Sequence, residues 1–145
     1  MTIPMIRPMI HSLAGCLLGG ALLLPAAALA APVTLTATLA GANETAGGDP
    51  DGTGSFTVEV DADAGDFCYT LKGAKIAAPT AAHVHSGAAG ADGPPVITIQ
   101  VADDECMAVE PDVLKPIVAA PADYYVNIHT ADFPKGAVRG QLAKK

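Results

Sequence analysis

Apolar and polar residues alternate over short stretches after residue 30, and this pattern predicts strands. Alternation over residues 33–39 places apolar side chains on one face, because successive side chains of a strand point to opposite faces. Residues 56–60 and 67–71 alternate on either side of a tight turn and predict a β-hairpin. Alternating or β-branched stretches at 82–85, 96–101, 124–129 and 138–142 bring the total to about seven or eight strands.

One stretch departs from the strand pattern. Glu110-Pro-Asp112 is typical of a helix start with proline in the first turn, and it predicts a short helix over residues 111–119, ended by Pro121. Pro116 falls inside this span and disfavours a regular helix. Many short strands with one helix, and no repeat or second domain, predict a single all-β domain, a sandwich or a small barrel.

The first 30 residues differ in character from the rest. Arg7 precedes an uncharged, leucine-rich stretch that Pro25 interrupts, and Ala28-Leu29-Ala30 is a small-x-small cleavage pattern. These features predict a cleavable signal peptide over residues 1–30 and a mature domain over 31–145. The apolar stretch before Pro25 is too short to span a bilayer, so we expect no membrane span after cleavage.

Leu13-Ala-Gly-Cys16 resembles a lipobox, which would make Cys16 a lipidated N-terminus. A lipoprotein leader has its apolar segment before the cysteine, whereas here the most apolar part follows it. The sequence therefore does not favour a lipid anchor at Cys16, and we expect a periplasmic or secreted protein.

The chain is acidic, with a formal net charge of −7, and Arg7 is lost with the leader. Nucleic-acid binding requires a basic patch, so this charge excludes it. Two cysteines, Cys68 and Cys106, follow the leader. In an oxidising compartment such a pair usually forms a disulfide, and the wide spacing without a CxxC motif disfavours a thiolate metal site.

Polar side chains that are candidates for binding a ligand or a metal lie on three predicted strands. His83 and His85 share one face of their strand, Asn127 and His129 share a face of another, and Arg139 lies on the last. If these strands are neighbours, the residues form one patch. The histidines then have two interpretations: His83, His85 and His129 bind copper or zinc, or they hydrogen-bond the backbone of glycine-rich loops.

Other chemistries fit less well. Ser86 follows His85 directly, so the two side chains point to opposite faces of the strand, and no Gly-x-Ser-x-Gly motif is present. Asp103-Asp-Glu105 is typical of a solvated turn. No phosphate-binding or dinucleotide-binding loop occurs.

Five segments carry a resemblance to a known family. They are Leu39-Ala-Gly-Ala-Asn-Glu44, Ala82-His-Val-His-Ser-Gly-Ala-Ala-Gly-Ala-Asp-Gly-Pro94, Tyr124-Tyr-Val-Asn-Ile-His-Thr130, Phe133-Pro-Lys-Gly136 and Arg139-Gly-Gln-Leu142. Together they resemble the CHRD (chordin) domain family, in its single-domain bacterial exported form. Thr45-Ala46 departs from the Val-Pro-like continuation of the family pattern. The resemblance implies an immunoglobulin-like Greek-key β-sandwich in secreted proteins, without an established enzymatic activity.

These observations predict a non-enzymatic, exported binding or interaction module for a protein or another extracellular ligand. Its functional face would include His83, His85, Asn127, His129 and Arg139. By the resemblance, Glu44 and the loop over residues 87–93 would lie nearby. The alternative is a periplasmic copper- or zinc-binding protein, with or without redox activity, that uses His83, His85 and His129. A copper/zinc dismutase needs more histidines than this.

Overall fold

The structure of the protein is a computed structural model that describes residues 31–145. The predicted signal peptide, residues 1–30 with Cys16, lies outside the described residues. Within residues 31–145, no helix is long and apolar enough to cross a membrane.

The described residues form nine strands, one α-helix and two 3₁₀ helices. The strands are β1 (Val33–Ala40), β2 (Thr53–Asp61), β3 (Asp66–Ala74), β4 (Pro79–Ser86), β5 (Pro95–Ile99), β6 (Glu105–Ala108), β7 (Tyr124–Thr130), β8 (Val138–Gln141) and β9 (Ala143–Lys144). Helix α1 spans Pro111–Ala119, and the 3₁₀ helices span Gly41–Asn43 and Pro121–Asp123. The prediction of an all-β domain with one short helix near 111–119 is confirmed.

The strands form one antiparallel sheet in the order β5-β4-β7-β8-β1-β2-β3-β6, with β9 paired to β1. Between β8 and β1 the ladder contains a single residue pair, Ala40 with Arg139. The two halves of the sheet are therefore joined at a narrow seam. The sandwich of separate sheets that the family resemblance implied is not confirmed, because all nine strands of the described residues belong to one hydrogen-bonded sheet.

Both halves of the sheet bury their apolar faces in a single core. One half contributes Leu35, Leu39, Phe56, Val58, Phe67 and Leu71, and the other contributes Val84, Ile97, Val126, Ile128 and Val138. Alternation along each strand puts these residues on one face. The sheet therefore curls around a shared core and leaves its other face to polar residues.

The predicted β2–β3 hairpin is confirmed, with continuous pairing from Thr53 with Ala74 to Asp61 with Asp66. Its turn follows from local chemistry. The Asp61 carboxylate accepts hydrogen bonds from the backbone N–H groups of Asp63 and Ala64, at 3.1 and 2.9 Å. Gly65 takes the positive φ of 82° that closes the turn, a conformation that favours glycine.

Helix α1 forms despite the proline inside it. Pro116 removes one helical hydrogen bond, a loss of about 3 kcal/mol in a helix interior. Leu114 and Ile117 are fully buried against the core, and burial of each stabilises the fold by roughly 1.5–3 kcal/mol. Tertiary packing therefore outweighs the local penalty.

Cys68 and Cys106 form a disulfide, as predicted. They lie directly opposite each other on β3 and β6. The bond ties β6, a four-residue edge strand that the alternation pattern did not predict, to the rest of the sheet.

Candidate functional site

The polar residues singled out in the sequence lie on neighbouring strands. Strand β7 pairs with β4 on one side and with β8 on the other. We define the polar face as the side chains that these strands present opposite the core: His83, His85, Tyr125, Asn127, His129, Arg139 and Gln141. Asn127 lies at its centre, directly between His83 on β4 and Arg139 on β8. The condition for a single patch, that these strands are neighbours, is therefore met.

The three histidines form a compact cluster at one end of this face. One ring nitrogen from each lies within 4.8 Å of the others. His83 Nδ1 is 3.1 Å from His129 Nε2, and the ring centroids of His83 and His85 are 5.4 Å apart. His85 is buried, with 9% of its surface exposed, whereas His83 and His129 are half-buried.

Backbone carbonyls orient two of the imidazoles. His85 Nδ1 donates to the Gly93 carbonyl at 2.8 Å, and His129 Nδ1 donates to the Pro134 carbonyl at 3.1 Å. A carbonyl oxygen only accepts, so in the neutral rings these bonds place the proton on Nδ1 and leave Nε2 as an acceptor. His83 Nδ1 then donates to His129 Nε2.

The environment favours the neutral form of His83 and His129. Burial lowers the pKa of His83 below its usual value, and the His129 and His85 rings lower it further. Burial also lowers the pKa of His129, against the raising effect of its hydrogen bond to Pro134, and His85 adds to the lowering. His83 and His129 therefore favour the neutral imidazole, which keeps a lone pair.

A planar stack braces the middle of the polar face. The His85 ring lies parallel to the Tyr125 ring, with centroids 4.7 Å apart and planes 6° apart. The Arg139 guanidinium carbon lies 3.4 Å from the centroid of the Tyr125 ring. Because β4 and β8 flank β7 on opposite sides, the histidine and the arginine approach Tyr125 from opposite sides. This stack fixes the orientation of His85.

Arg139 is buried and holds a loop of the fold in place. Only 2% of it is exposed, and its guanidinium donates to the carbonyls of Ala88 and Ala91, at 3.0 and 2.8 Å, and to the Asp92 carboxylate at 3.3 Å. These partners belong to the glycine-rich loop, residues 87–93. Gln141 donates to the Gly87 carbonyl of the same loop at 2.7 Å. Arg139 was predicted as a binding residue, and the structure places it beneath the loop.

Glu44 lies beside the polar face, as the family resemblance implied. Its carboxyl packs against the Cα of Gly136, where a Cβ would collide with it. Burial raises the pKa of Glu44 from 4.5 to about 7; Arg139 and a hydrogen bond from Asn127 oppose this shift, and Asp92 adds to it. The neighbouring Thr45 hydroxyl donates to Asp92 at 2.6 Å and so links this segment to the glycine-rich loop.

Three buried side-chain atoms of the described residues have no hydrogen-bond partner. They are His85 Nε2, Asn127 Oδ1 and Glu44 Oε1. All three belong to the polar face or to the carboxyl beside it. An unpartnered buried polar group costs about 1–3 kcal/mol, so these atoms destabilise the fold on their own.

The structure thus brings together the five residues that the sequence singled out for this face, with Glu44 beside them. Sequence reasoning did not assign roles to Tyr125, Gln141 and Asp92, which hold His85 and the glycine-rich loop. The alternation of β7 and β8 placed the first two on the polar face. Nothing local marked Asp92, because its partners Thr45 and Arg139 each lie 47 residues away along the chain.

Fold and site together define an all-β domain whose single curled sheet carries a buried, histidine-bearing polar network. The family model of the CHRD domain matches residues 35–142, and the chain belongs to this family. No curated protein and no solved structure matches the chain. CHRD domains are extracellular, and both the family and the disulfide fit an extracellular binding module.

Proposed function

We propose that this protein is an exported, non-enzymatic binding module whose ligand contacts the polar face. His83, His85, Asn127 and His129 would meet the ligand directly, with Glu44 at the edge. Arg139 would act from below by holding the glycine-rich loop in place.

The three unpartnered atoms carry this proposal. His85 Nε2, Asn127 Oδ1 and Glu44 Oε1 are all hydrogen-bond acceptors when the imidazole is neutral and the carboxyl is ionised. A network that served only stability would satisfy its buried polar atoms. A ligand that carries hydrogen-bond donors or a positive charge would supply the missing partners.

Charge supports the same class of ligand. The chain has 15 acidic and 8 basic residues, and the most buried basic side chain near the site, Arg139, is already engaged by loop carbonyls and Asp92. An acidic protein attracts cations and disfavours anionic partners such as nucleic acid.

Glu44 offers a test that needs no ligand. A side chain retained for binding and not for stability should stabilise the fold when its buried charge is removed. The folded-state pKa of about 7 lies above the ordinary 4.5. The folded protein therefore holds a proton that the unfolded chain has released, and this contribution to stability falls as the pH rises from about 5 to 8.

We expect Glu44→Gln to melt a few degrees above the wild type at pH 8, with the difference shrinking toward pH 5. Thermal unfolding across this pH range measures it, and Glu59→Gln, on the exposed side of β2, is the matched control. His83 and His129 titrate in both the wild type and Glu44→Gln. The quantity compared is therefore the difference in melting temperature between these two proteins at each pH. A Glu44→Gln protein that melts below the wild type at pH 8 would show that Glu44 is structural and would refute the proposal.

A further inference from the structure

We propose that the ligand of the polar face is a late first-row divalent metal ion, Cu²⁺ or Zn²⁺, bound by His83, His85 and His129. This inference rests on the proposed function and names the ligand of that same site. Three independent features of the cluster lead to it: ligand spacing, ring orientation and one unpartnered nitrogen.

The spacing fits an imidazole-bound ion. With metal–nitrogen bonds of about 2.0–2.1 Å, ligand nitrogens lie roughly 2.9–3.4 Å apart. His83 Nδ1 and His129 Nε2 are 3.1 Å apart, and all three ligand nitrogens lie within 4.8 Å of one another. Small side-chain rotations of the half-buried His83 and His129 would bring the set to bonding distance.

Ring orientation follows the arrangement found around protein metal ions. A metal-bound histidine commonly donates its other N–H to a carbonyl or carboxylate, which fixes the tautomer and directs the lone pair at the metal. His85 and His129 make this contact with the carbonyls of Gly93 and Pro134. The Tyr125 ring stacked on His85 adds a second restraint on that ring.

His85 Nε2 is the observation that a purely structural role does not explain. His85 is more than nine-tenths buried, its Nδ1 is bonded to Gly93, and its Nε2 has no partner. The centroids of the His83 and His129 rings lie 5.4 and 6.3 Å from the centroid of the His85 ring. A metal ion shared with these two imidazoles would give the lone pair of His85 Nε2 the partner that it lacks.

Metal binding requires one local rearrangement. The hydrogen bond from His83 Nδ1 to His129 Nε2 must open, because both nitrogens would face the ion. The proton on His83 moves to its other ring nitrogen, so no net proton release is needed from neutral rings.

The donor set determines the class of ion. Three imidazoles favour Cu²⁺ and Zn²⁺ over Mg²⁺ and Ca²⁺, which prefer oxygen ligands. Three protein ligands leave a fourth position for water or another small ligand. Asn127 lies directly across from His83, and its unpartnered Oδ1 could accept a hydrogen bond from the water or small ligand in that fourth position.

The test is isothermal titration of Cu²⁺ and Zn²⁺ into the protein, exported from a bacterial host without a polyhistidine tag. We expect one ion per chain with sub-micromolar Kd. His83→Ala and His129→Ala should each raise the Kd at least about 100-fold, since even loss of an outer-shell partner typically costs 10–100-fold. The control is Asp103→Asn with Asp104→Asn, which removes exposed acidic charge and should leave the Kd unchanged.

Electron paramagnetic resonance of the Cu²⁺-loaded protein gives a second measurement, because imidazole nitrogens split the signal. The wild type should show three nitrogen ligands and His83→Gln two. His83→Gln serves if an alanine variant does not fold, since it retains a polar side chain at a half-buried position. Absence of binding at 100-fold excess metal, or a Kd unaffected by every histidine variant, would overturn the metal inference. The Glu44→Gln result would still decide the proposed binding role on its own.

Discussion

At the scale of single residues, burial separates the roles of side chains that look equivalent in the sequence. Arg139 and His129 both occupy polar positions of predicted strands, yet Arg139 is 2% exposed whereas His129 is half-buried. Arg139 uses its fork of donors on two carbonyls and a carboxylate, and its planar group stacks on Tyr125. A lysine cannot reproduce that combination, because it presents a single point charge.

We therefore expect Arg139→Lys to loosen the glycine-rich loop without unfolding the domain. Loss of charge-assisted hydrogen bonds, each about 1.5–3 kcal/mol, removes the contacts of Arg139 with Ala88, Ala91 and Asp92 in this loop. Hydrogen exchange measured by NMR should accelerate at the amides of Gly87 and Ala91. Amides in the β2–β3 hairpin are the internal control, and unchanged exchange in the loop would show that Gln141 and Thr45 suffice to hold it.

At the scale of elements, local pattern and tertiary contact contribute differently from strand to strand. Strands β1, β2 and β3 alternate clearly, pair with sequence neighbours and were predicted. Strand β6 has four residues, all exposed or half-buried, and no alternation marks it. It forms because Cys106 is bonded to Cys68 and its backbone completes the edge next to β3.

Removal of the disulfide should therefore affect β6 first. A link that encloses 37 residues contributes about 3–4 kcal/mol through the entropy of the unfolded chain. We expect Cys68→Ser with Cys106→Ser to lower the free energy of unfolding by that amount in urea titrations. Amides of β6 should lose protection before those of β7. A variant as stable as the wild type would show that strand pairing alone holds β6.

At the scale of the whole molecule, a small domain combines a closed apolar core with a polar face that is not fully satisfied. The core unites both halves of the sheet, although the ladder between them narrows to one residue pair at β8 and β1. This arrangement leaves β4, β7 and β8 with one face free to carry histidines. The stability supplied by the core and the disulfide offsets the unpartnered atoms of the site.

Export belongs to this scale, because a structural disulfide persists in an oxidising compartment, where the domain would fold. We expect the full chain, expressed in a bacterial host, to reach the periplasm with Ala31 as its first residue. Intact-mass measurement of the periplasmic protein tests this, and Ala28→Lys with Ala30→Lys should block cleavage. A lipid-modified Cys16, or a product that retains residues 1–30, would contradict the predicted leader.

Sequence alone determined the features that depend on local periodicity and chemistry. Alternation identified the long strands and their polar positions, Pro111 and Pro121 bounded the helix, and the pair of cysteines indicated the disulfide. Five segments identified the family that the match over residues 35–142 confirms. Each of these signals is either a pattern within a few residues of the chain or a residue type, such as cysteine, that has few structural roles.

Only the tertiary structure decided how distant segments meet. A period of two tells which face a side chain occupies but not which strand lies beside it. Several features depend on contacts between segments far apart in sequence. They are the single residue pair of Ala40 with Arg139, the burial of Arg139, the packing of Gly136 against the Glu44 carboxyl, and the unpartnered His85 Nε2. Such contacts form through packing of the whole chain, which no local pattern encodes.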